Sequence, residues 1–276
     1  MAELNLADLR PAARPFFSMP RDCSPFIRVA SILGFFLIWE IVALIGVFSP
    51  VLLPSPIDVL RAAKEMLVNG ILLPNIVASL LRVFVGFISA ALVAVPLGII
   101  CGWYRTLLDI VDPIVELFRP IPVLALLPLA ILWFGIGESS KIVLVAYGSF
   151  FPIFINTLAG VRFVDPIYIQ AAESLGATKP QIFYRVILMA ALPNIFTGLR
   201  LGIGFSFLTI VAAEMIASER GLGYLIVDTQ LTFQTDRTMV ATLMFGLLGF
   251  LTSALLLKLE QRLLRWKSGL QRRNNE

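Results

Sequence analysis

Long apolar blocks set between short polar breaks organise this chain. Residues 29–48 carry a single charge, Glu40, and are otherwise suited to lipid. Twenty residues of helix reach about 30 Å, the thickness of a bilayer's hydrocarbon core. A cleaved signal peptide is the rival reading of this block. The apolar run is too long for one, and no small-residue cleavage site follows it. The same pattern predicts further spans at about 76–103, within 110–136, at about 142–161, at about 188–216 and at 238–257. The expected fold class is therefore an all-α membrane protein of about six transmembrane helices.

Prolines and glycines make two of these blocks irregular. Pro120, Pro122 and Pro128 lie in the third. Pro120 and Pro122 remove backbone donors and are expected to break it. A broken helix at membrane depth is tolerated where it lines a cavity or is buried in protein, so this segment is expected to border a translocation path. The fifth block holds Arg200 among Gly198, Gly202 and Gly204. After Pro54 and Pro56, residues 57–68 read as a short amphipathic helix lying on the outer face.

Composition supports lipid as the main solvent. The chain is 58% hydrophobic and only 14% charged, with a mean hydropathy of +0.90, whereas soluble domains are about a quarter charged. The net charge of +4 follows from topology rather than from nucleic-acid binding, because no basic stripe is interleaved with stacking aromatics. There is no histidine, and the two cysteines, Cys23 and Cys101, offer no metal spacing. No catalytic residue is assigned: the chain lacks both a G-x-x-x-x-G-K-[ST] phosphate loop and a G-x-S-x-G elbow.

Lysine and arginine placement sets the orientation. With the N-terminus inside, fourteen basic residues fall in inner segments: Arg10, Arg14, Arg21, Arg28, Arg105, Arg162, Lys179, Arg185, Lys258, Arg262, Arg265, Lys267, Arg272 and Arg273. Five fall outside: Arg61, Lys64, Lys141, Arg220 and Arg237. Both termini are thus expected in the cytoplasm, with 1–28 as an N-terminal segment, 29–264 as one transmembrane domain and 265–276 as a tail. Residues 162–187 become a cytoplasmic loop.

That loop is strongly punctuated. Asp165 before Pro166 is a helix start, with a capping oxygen followed by a residue that has no amide hydrogen. Gly176 suits the left-handed position that ends the helix. Thr178 and Gln181 form a capping-box pattern for a second helix. Ala171, Ala172 and Gly176 let another surface approach closely, which describes a rigid knob for a cytoplasmic socket.

The run Gln170-Ala171-Ala172-Glu173-Ser174-Leu175-Gly176-Ala177 resembles the E-A-A-x-x-x-G signature of permease subunits in bacterial ATP-binding-cassette importers. Pro54-Ser55-Pro56, Arg119-Pro120-Ile121-Pro122, Trp133-Phe134-Gly135-Ile136-Gly137-Glu138, Gly198-Leu199-Arg200 and Arg220-Gly221-Leu222-Gly223 look like the taurine, alkanesulfonate and nitrate branch. The likeness covers roughly residues 30 to 265. Two positions depart from it: Gln170 replaces the leading Glu, and Met189 replaces the proline of the Leu-Pro pair that is expected to follow, with Leu192-Pro193 coming shortly after.

The resemblance implies a type I importer-like permease fold in a bacterial inner membrane, with 162–187 as the coupling loop. It implies cytoplasmic ATPase subunits as partners, which use ATP and Mg, while this chain binds no cofactor and is not itself an enzyme. It also implies an extracytoplasmic solute-binding protein, a second permease copy, and a small, anionic solute of the taurine, sulfonate, nitrate or bicarbonate type. Gln170, Ala171, Ala172, Glu173, Leu175, Gly176 and Ala177 are then the ATPase-coupling residues.

Ionisable groups inside a membrane are functional candidates by default. Arg119, Pro120, Pro122, Arg200 and Glu214 are read as bordering the path. Arg82 reads as snorkelling or as paired with a carboxylate, with an anion path as the alternative. Glu116 and Arg119, three apart, are expected to pair. Glu214 is expected to meet a cation nearby or the solute-binding protein. The 217–237 loop reads equally as a docking surface and as a simple hairpin. An ion-gradient-driven secondary transporter is the alternative function; it predicts acidic or histidine relays and internal symmetry, neither of which is evident.

Overall fold

The computed structural model describes residues 25–46, 49 and 51–264. The expected tail 265–276, Cys23, and all of the expected N-terminal segment except 25–28 lie outside the described residues. Every regular element described is helical: α1 (Pro25–Leu44), α2 (Pro56–Val68), α3 (Leu72–Trp103), α4 (Arg105–Phe118), α5 (Val123–Phe134), α6 (Glu138–Arg162), α7 (Pro166–Ser174), α8 (Lys179–Ile182), a π-helical turn (Phe183–Ile187), α9 (Leu188–Ala217), α10 (Leu222–Leu231) and α11 (Thr235–Leu263).

Among the described residues four helices are long and apolar enough to cross a membrane: α3, α6, the continuous run Lys179–Ala217, and α11. The α4–α5 pair forms a fifth, broken span bent by 97°, as the prolines of the third block predict. The sixth expected span corresponds to α1, which is 20 residues long and ends at Leu44 rather than at 48. At 1.5 Å per residue its 20 residues reach about 30 Å, enough for a crossing. Among the described residues four to five spans meet the length and composition criterion in full, and α1 stands where the sixth is expected. Residues 57–68 do form a helix, capped by Ser55, whose Oγ accepts from the Asp58 N–H at 3.2 Å.

The centre of the bundle is α6, packed along its length between α3 and α9. Membrane helices gain little from hiding apolar surface from lipid, so close backbone approach through small residues becomes the packing device. A Cβ at Gly86 or Gly102 of α3 would fall 2.6 or 2.7 Å from Val145 or Val161 of α6. A Cβ at Gly202 of α9 would meet Ile153 at 2.6 Å. Ser149 and Ser206 hydrogen-bond across α6 and α9 at 2.6 Å. Ile153, Phe154, Val145 and Ile210 of α6 and α9 are buried in the core, while Leu92 of α3, Leu208 of α9 and Phe250 of α11 point outward, each about 70% exposed. Apolar groups on both inner and outer faces match a bundle dissolved in hydrocarbon.

Chain direction gives the bundle two distinct ends. The starts of α3, α6 and α11, the end of α9, and α10 share one end. The ends of α3 and α6, the start of α9, and α7 share the other.

Candidate functional site

The α7 segment is built as its capping pattern predicts. The Asp165 Oδ1 accepts from the Ile167 N–H at 2.9 Å. At the other end Gly176 has φ +76°. The Gly176 N–H donates to the Glu173 carbonyl at 2.9 Å and the Ala177 N–H to the Ala172 carbonyl at 3.0 Å, the paired bonds of a Schellman closure. The Thr178 N–H then donates to Gln181 Oε1 at 2.8 Å.

Orientation corrects one detail of the sequence reading. Ala172 is not on the exposed face. With Ile169 and Ala177 it packs on a buried cluster of Val161, Ile182, Ile187, Ala191 and Ile195. Gln170, Ala171, Glu173, Leu175 and Gly176 are exposed, and Leu175 is 87% exposed, high for a leucine. The second helix also differs. Rather than closing a free-standing helix–turn–helix, α8 is one turn long and runs through the π turn into α9. Trp103, at the end of α3, rests edge-on against Phe183 of that turn, with ring centres 4.9 Å apart.

The broken span forms one wall of a cavity of about 500 Å³. Arg119, Pro120 and Pro122 line it together with Tyr147, Phe151, Pro152 and Asn156 of α6 and Phe205 of α9. One helix-terminal carbonyl left by the break, that of Phe118, is satisfied twice over by local donors. The Tyr147 hydroxyl donates to the Phe118 carbonyl at 2.6 Å, and the Ile121 N–H donates to the same carbonyl at 3.1 Å. Arg119 closes α4 and is exposed. Among the described residues it forms no ion pair, and the expected Glu116–Arg119 pair is not made. Arg119 is still in the helical ladder, its N–H donating to the Val115 carbonyl at 2.9 Å, and its side chain faces the cavity rather than Glu116.

At the opposite end from α7, four segments meet in a polar clasp. Arg82 of α3 is buried and donates through Nε and Nη2 to the two Glu138 carboxylate oxygens at 2.5 and 2.6 Å. Its Nη1 donates to Glu214 Oε1 and to the Arg220 carbonyl, each at 2.6 Å. Glu214 of α9 is 0% exposed. It also accepts from the Ser79 hydroxyl at 2.8 Å and from the Gly223 N–H at 2.9 Å. Ser79 accepts in turn from the Leu222 N–H, and Asn75 from the Gly221 N–H. The start of α10 is thus held to α3 and α9 by charge-assisted hydrogen bonds, which are about twice as strong as neutral ones.

Gly221 fits this clasp for two reasons. Its φ is +127°, and a Cβ there would lie 2.5 Å from both Glu214 oxygens. The pairing of Arg82 with a carboxylate, read from the sequence, is what the structure has. Glu214 meets a cation, as one of its readings supposed. Arg200 approaches Glu260 of α11 at 3.9 Å. The 217–237 segment contains the helix α10 rather than a bare hairpin. Sequence reasoning missed Ser79, Asn75 and Glu138 as clasp residues, and Tyr147 and Asn156 as cavity residues. A single polar residue in an apolar helix does not reveal what it faces across the bundle.

A bundle of apolar helices with one broken span and an exposed, rigidly capped loop between two spans is the architecture of a transport permease. Residues 94–265 match the family model described as "Binding-protein-dependent transport system inner membrane component", and the chain belongs to this family. It is 40% identical to the taurine transport system permease protein TauC of Escherichia coli (strain K12), over 85% of this chain and 87% of that protein. It is 37% identical to the putative aliphatic sulfonates transport permease protein SsuC of Bacillus subtilis (strain 168), over 85% of each. Among solved structures, a chain of the MetNI methionine ABC transporter in inward-facing conformations shares the fold, with a TM-score of 0.55 and 21% identity, over 70% of this chain and 94% of that one. The fold is the all-α type I permease fold, in a multi-pass membrane protein.

Proposed function

We propose that this chain is the membrane-spanning subunit of an ATP-driven importer that carries a small sulfonate-like anion into the cytoplasm. Two copies pair around a central path and rest on two ATPase subunits, which bind ATP and Mg. An extracytoplasmic protein delivers the solute. The α7 end faces the cytoplasm and both termini lie on that side, in agreement with the fourteen inner and five outer basic residues.

The observation that carries the reading is the exposed face of α7. Gln170, Ala171, Glu173, Leu175 and Gly176 stand clear of the bundle, while Ala172 and Ala177 anchor the same turn on a buried cluster. A rigid projection with an unpaired leucine at its tip is suited to a preformed socket. Energy then comes from the partner, and this chain supplies the gate. The sulfonate-like substrate is favoured by the taurine and aliphatic sulfonate names of the relatives.

Co-purification from detergent with the ATPase encoded beside this chain tests the docking. Wild type is compared with Ala171→Arg and Leu175→Asp, both on the exposed face, which leave the anchoring cluster intact. The expected result is an ATPase held by wild type and lost by both variants, with membrane insertion unchanged. Equal retention by all three would remove α7 as the coupling element.

A further inference from the structure

We infer that the cavity at the broken span contains a subsite for a small monoanion, with Arg119 as its charge-pairing group and Asn156 as a second hydrogen-bonding group. The inference rests on the proposed import role and adds to it a place where the solute is held during passage.

Height in the bundle is the first argument. Tyr147 and Asn156 lie on either side of the middle of α6, which runs from Glu138 to Arg162. The cavity is therefore at half depth, where a charge without a partner is costly. Pairing is the second. Arg82 and Lys141 each meet Glu138, Arg82 also meets Glu214, and Arg200 meets Glu260. Arg119 has no carboxylate among the described residues. A guanidinium at this depth, facing about 500 Å³ of open space, needs an anion or water opposite it. Its planar fork matches an oxyanion head group in a two-bond arrangement.

The walls restrict the ligand. Asn156 spends one N–H on the Pro152 carbonyl at 2.8 Å, leaving its Oδ1 and second N–H for a solute. Phe151, Ile155 and Phe205 supply an apolar side for a short carbon tail. Among the described residues one cation faces the space, and Glu116 sits one turn back along α4 with no ion-pair partner of its own. That balance favours a single negative charge over a double one, and so a sulfonate over sulfate.

The test uses the permease–ATPase complex in lipid nanodiscs, and the same complex supplied with the binding protein in liposomes. Fluorine-19 line broadening of trifluoromethanesulfonate reports binding in the nanodiscs without nucleotide or binding protein. Ethanesulfonate is expected to compete and sulfate is not. Arg119→Gln is expected to weaken binding roughly tenfold or more, the loss of one charge-assisted pair. Arg119→Lys is expected to retain part of it, Asn156→Ala to lose several-fold, and Glu116→Gln to bind at least as well as wild type.

Equal broadening by wild type and Arg119→Gln would overturn the subsite. So would loss in both Glu116→Gln and Arg119→Gln with recovery in the double variant, the signature of a self-neutralising pair. Loss of the two-copy assembly in Arg119→Gln, with full binding in the assembled Arg119→Lys and Asn156→Ala complexes, would assign Arg119 to the partner copy and also overturn it. ATP-dependent solute uptake by the wild-type liposomes separates the two readings: uptake with unaltered Arg119→Gln transport sinks the subsite alone, and no uptake sinks the importer reading with it.

Discussion

Removing Arg82 should destabilise the bundle far more than removing Glu138, although both belong to one ion pair. Arg82 is 4% exposed, and the side chain of Glu138 is 60% exposed while that of Glu214 is 0% exposed. In Glu138→Gln the lost carboxylate was largely hydrated and Arg82 keeps Glu214, so the cost should resemble that of a surface pair, about 0–1 kcal/mol. In Arg82→Gln, Glu214 is left buried with only Ser79 and the Gly223 N–H. Breaking a buried pair from one side costs about 3–5 kcal/mol. For a chain of this size each kcal/mol moves the melting temperature by roughly 2–4 °C, so the expected drop is roughly 6–20 °C. Fluorescence-detected thermal unfolding of the purified chain in one detergent would measure it. Arg82→Leu combined with Glu214→Leu should recover part of the loss, because no orphan charge remains. A drop for Arg82→Gln no larger than for Glu138→Gln would refute the reasoning that Glu214 is the partner that counts.

Three further outcomes follow from the packing. Gly221→Ala should lower stability by more than about 1 kcal/mol, since it strains a positive φ and drives a methyl onto the Glu214 carboxylate; Gly204→Ala, with nothing within 4 Å of its Cβ, should be neutral or gain about 0.5–1 kcal/mol, and both are read by thermal unfolding. Gly198→Ala places a Cβ 2.9 Å from Asn156 and 3.1 Å from the Ile153 carbonyl, so it should cost about 1–3 kcal/mol by forcing α6 and α9 apart, seen as a lower denaturant midpoint. Asp165→Ala removes the cap of α7 at a cost of about 1 kcal/mol; faster hydrogen exchange confined to residues 166–174, with an unchanged global melting temperature, is the expected pattern.

Much of this molecule is legible from local pattern. The break at Pro120 and Pro122 depends only on missing donors, and the ends of α7 depend on Asp165 and Gly176, whose geometry is set within a few residues. The pairing of Arg82 is different in kind. Its need for a carboxylate can be read from depth, but its partners lie 56 and 132 positions away. No periodicity records such separations. The face of Ala172 was misread because composition shows that small residues are present, while only the helix phase shows that Ile169 and Ala172 turn inward together. The cavity at half depth was anticipated as a break, but Asn156 as part of its wall required the fold.

The uninterrupted helical run from Lys179 to Ala217 has a mechanical consequence. Its 39 residues make a rod of roughly 58 Å at 1.5 Å per residue. It joins the turn behind α7 directly to Glu214 and passes Phe205 of the cavity on the way. A rotation of about 5° around its middle would carry each end through an arc of roughly 2.5 Å in opposite directions, given that length. Displacement at the α7 end is thereby returned, with reversed sense, at the clasp some ten turns away. Inward movement at one mouth and outward movement at the other then belong to a single body, with the π turn and Pro193 as the points where it can yield.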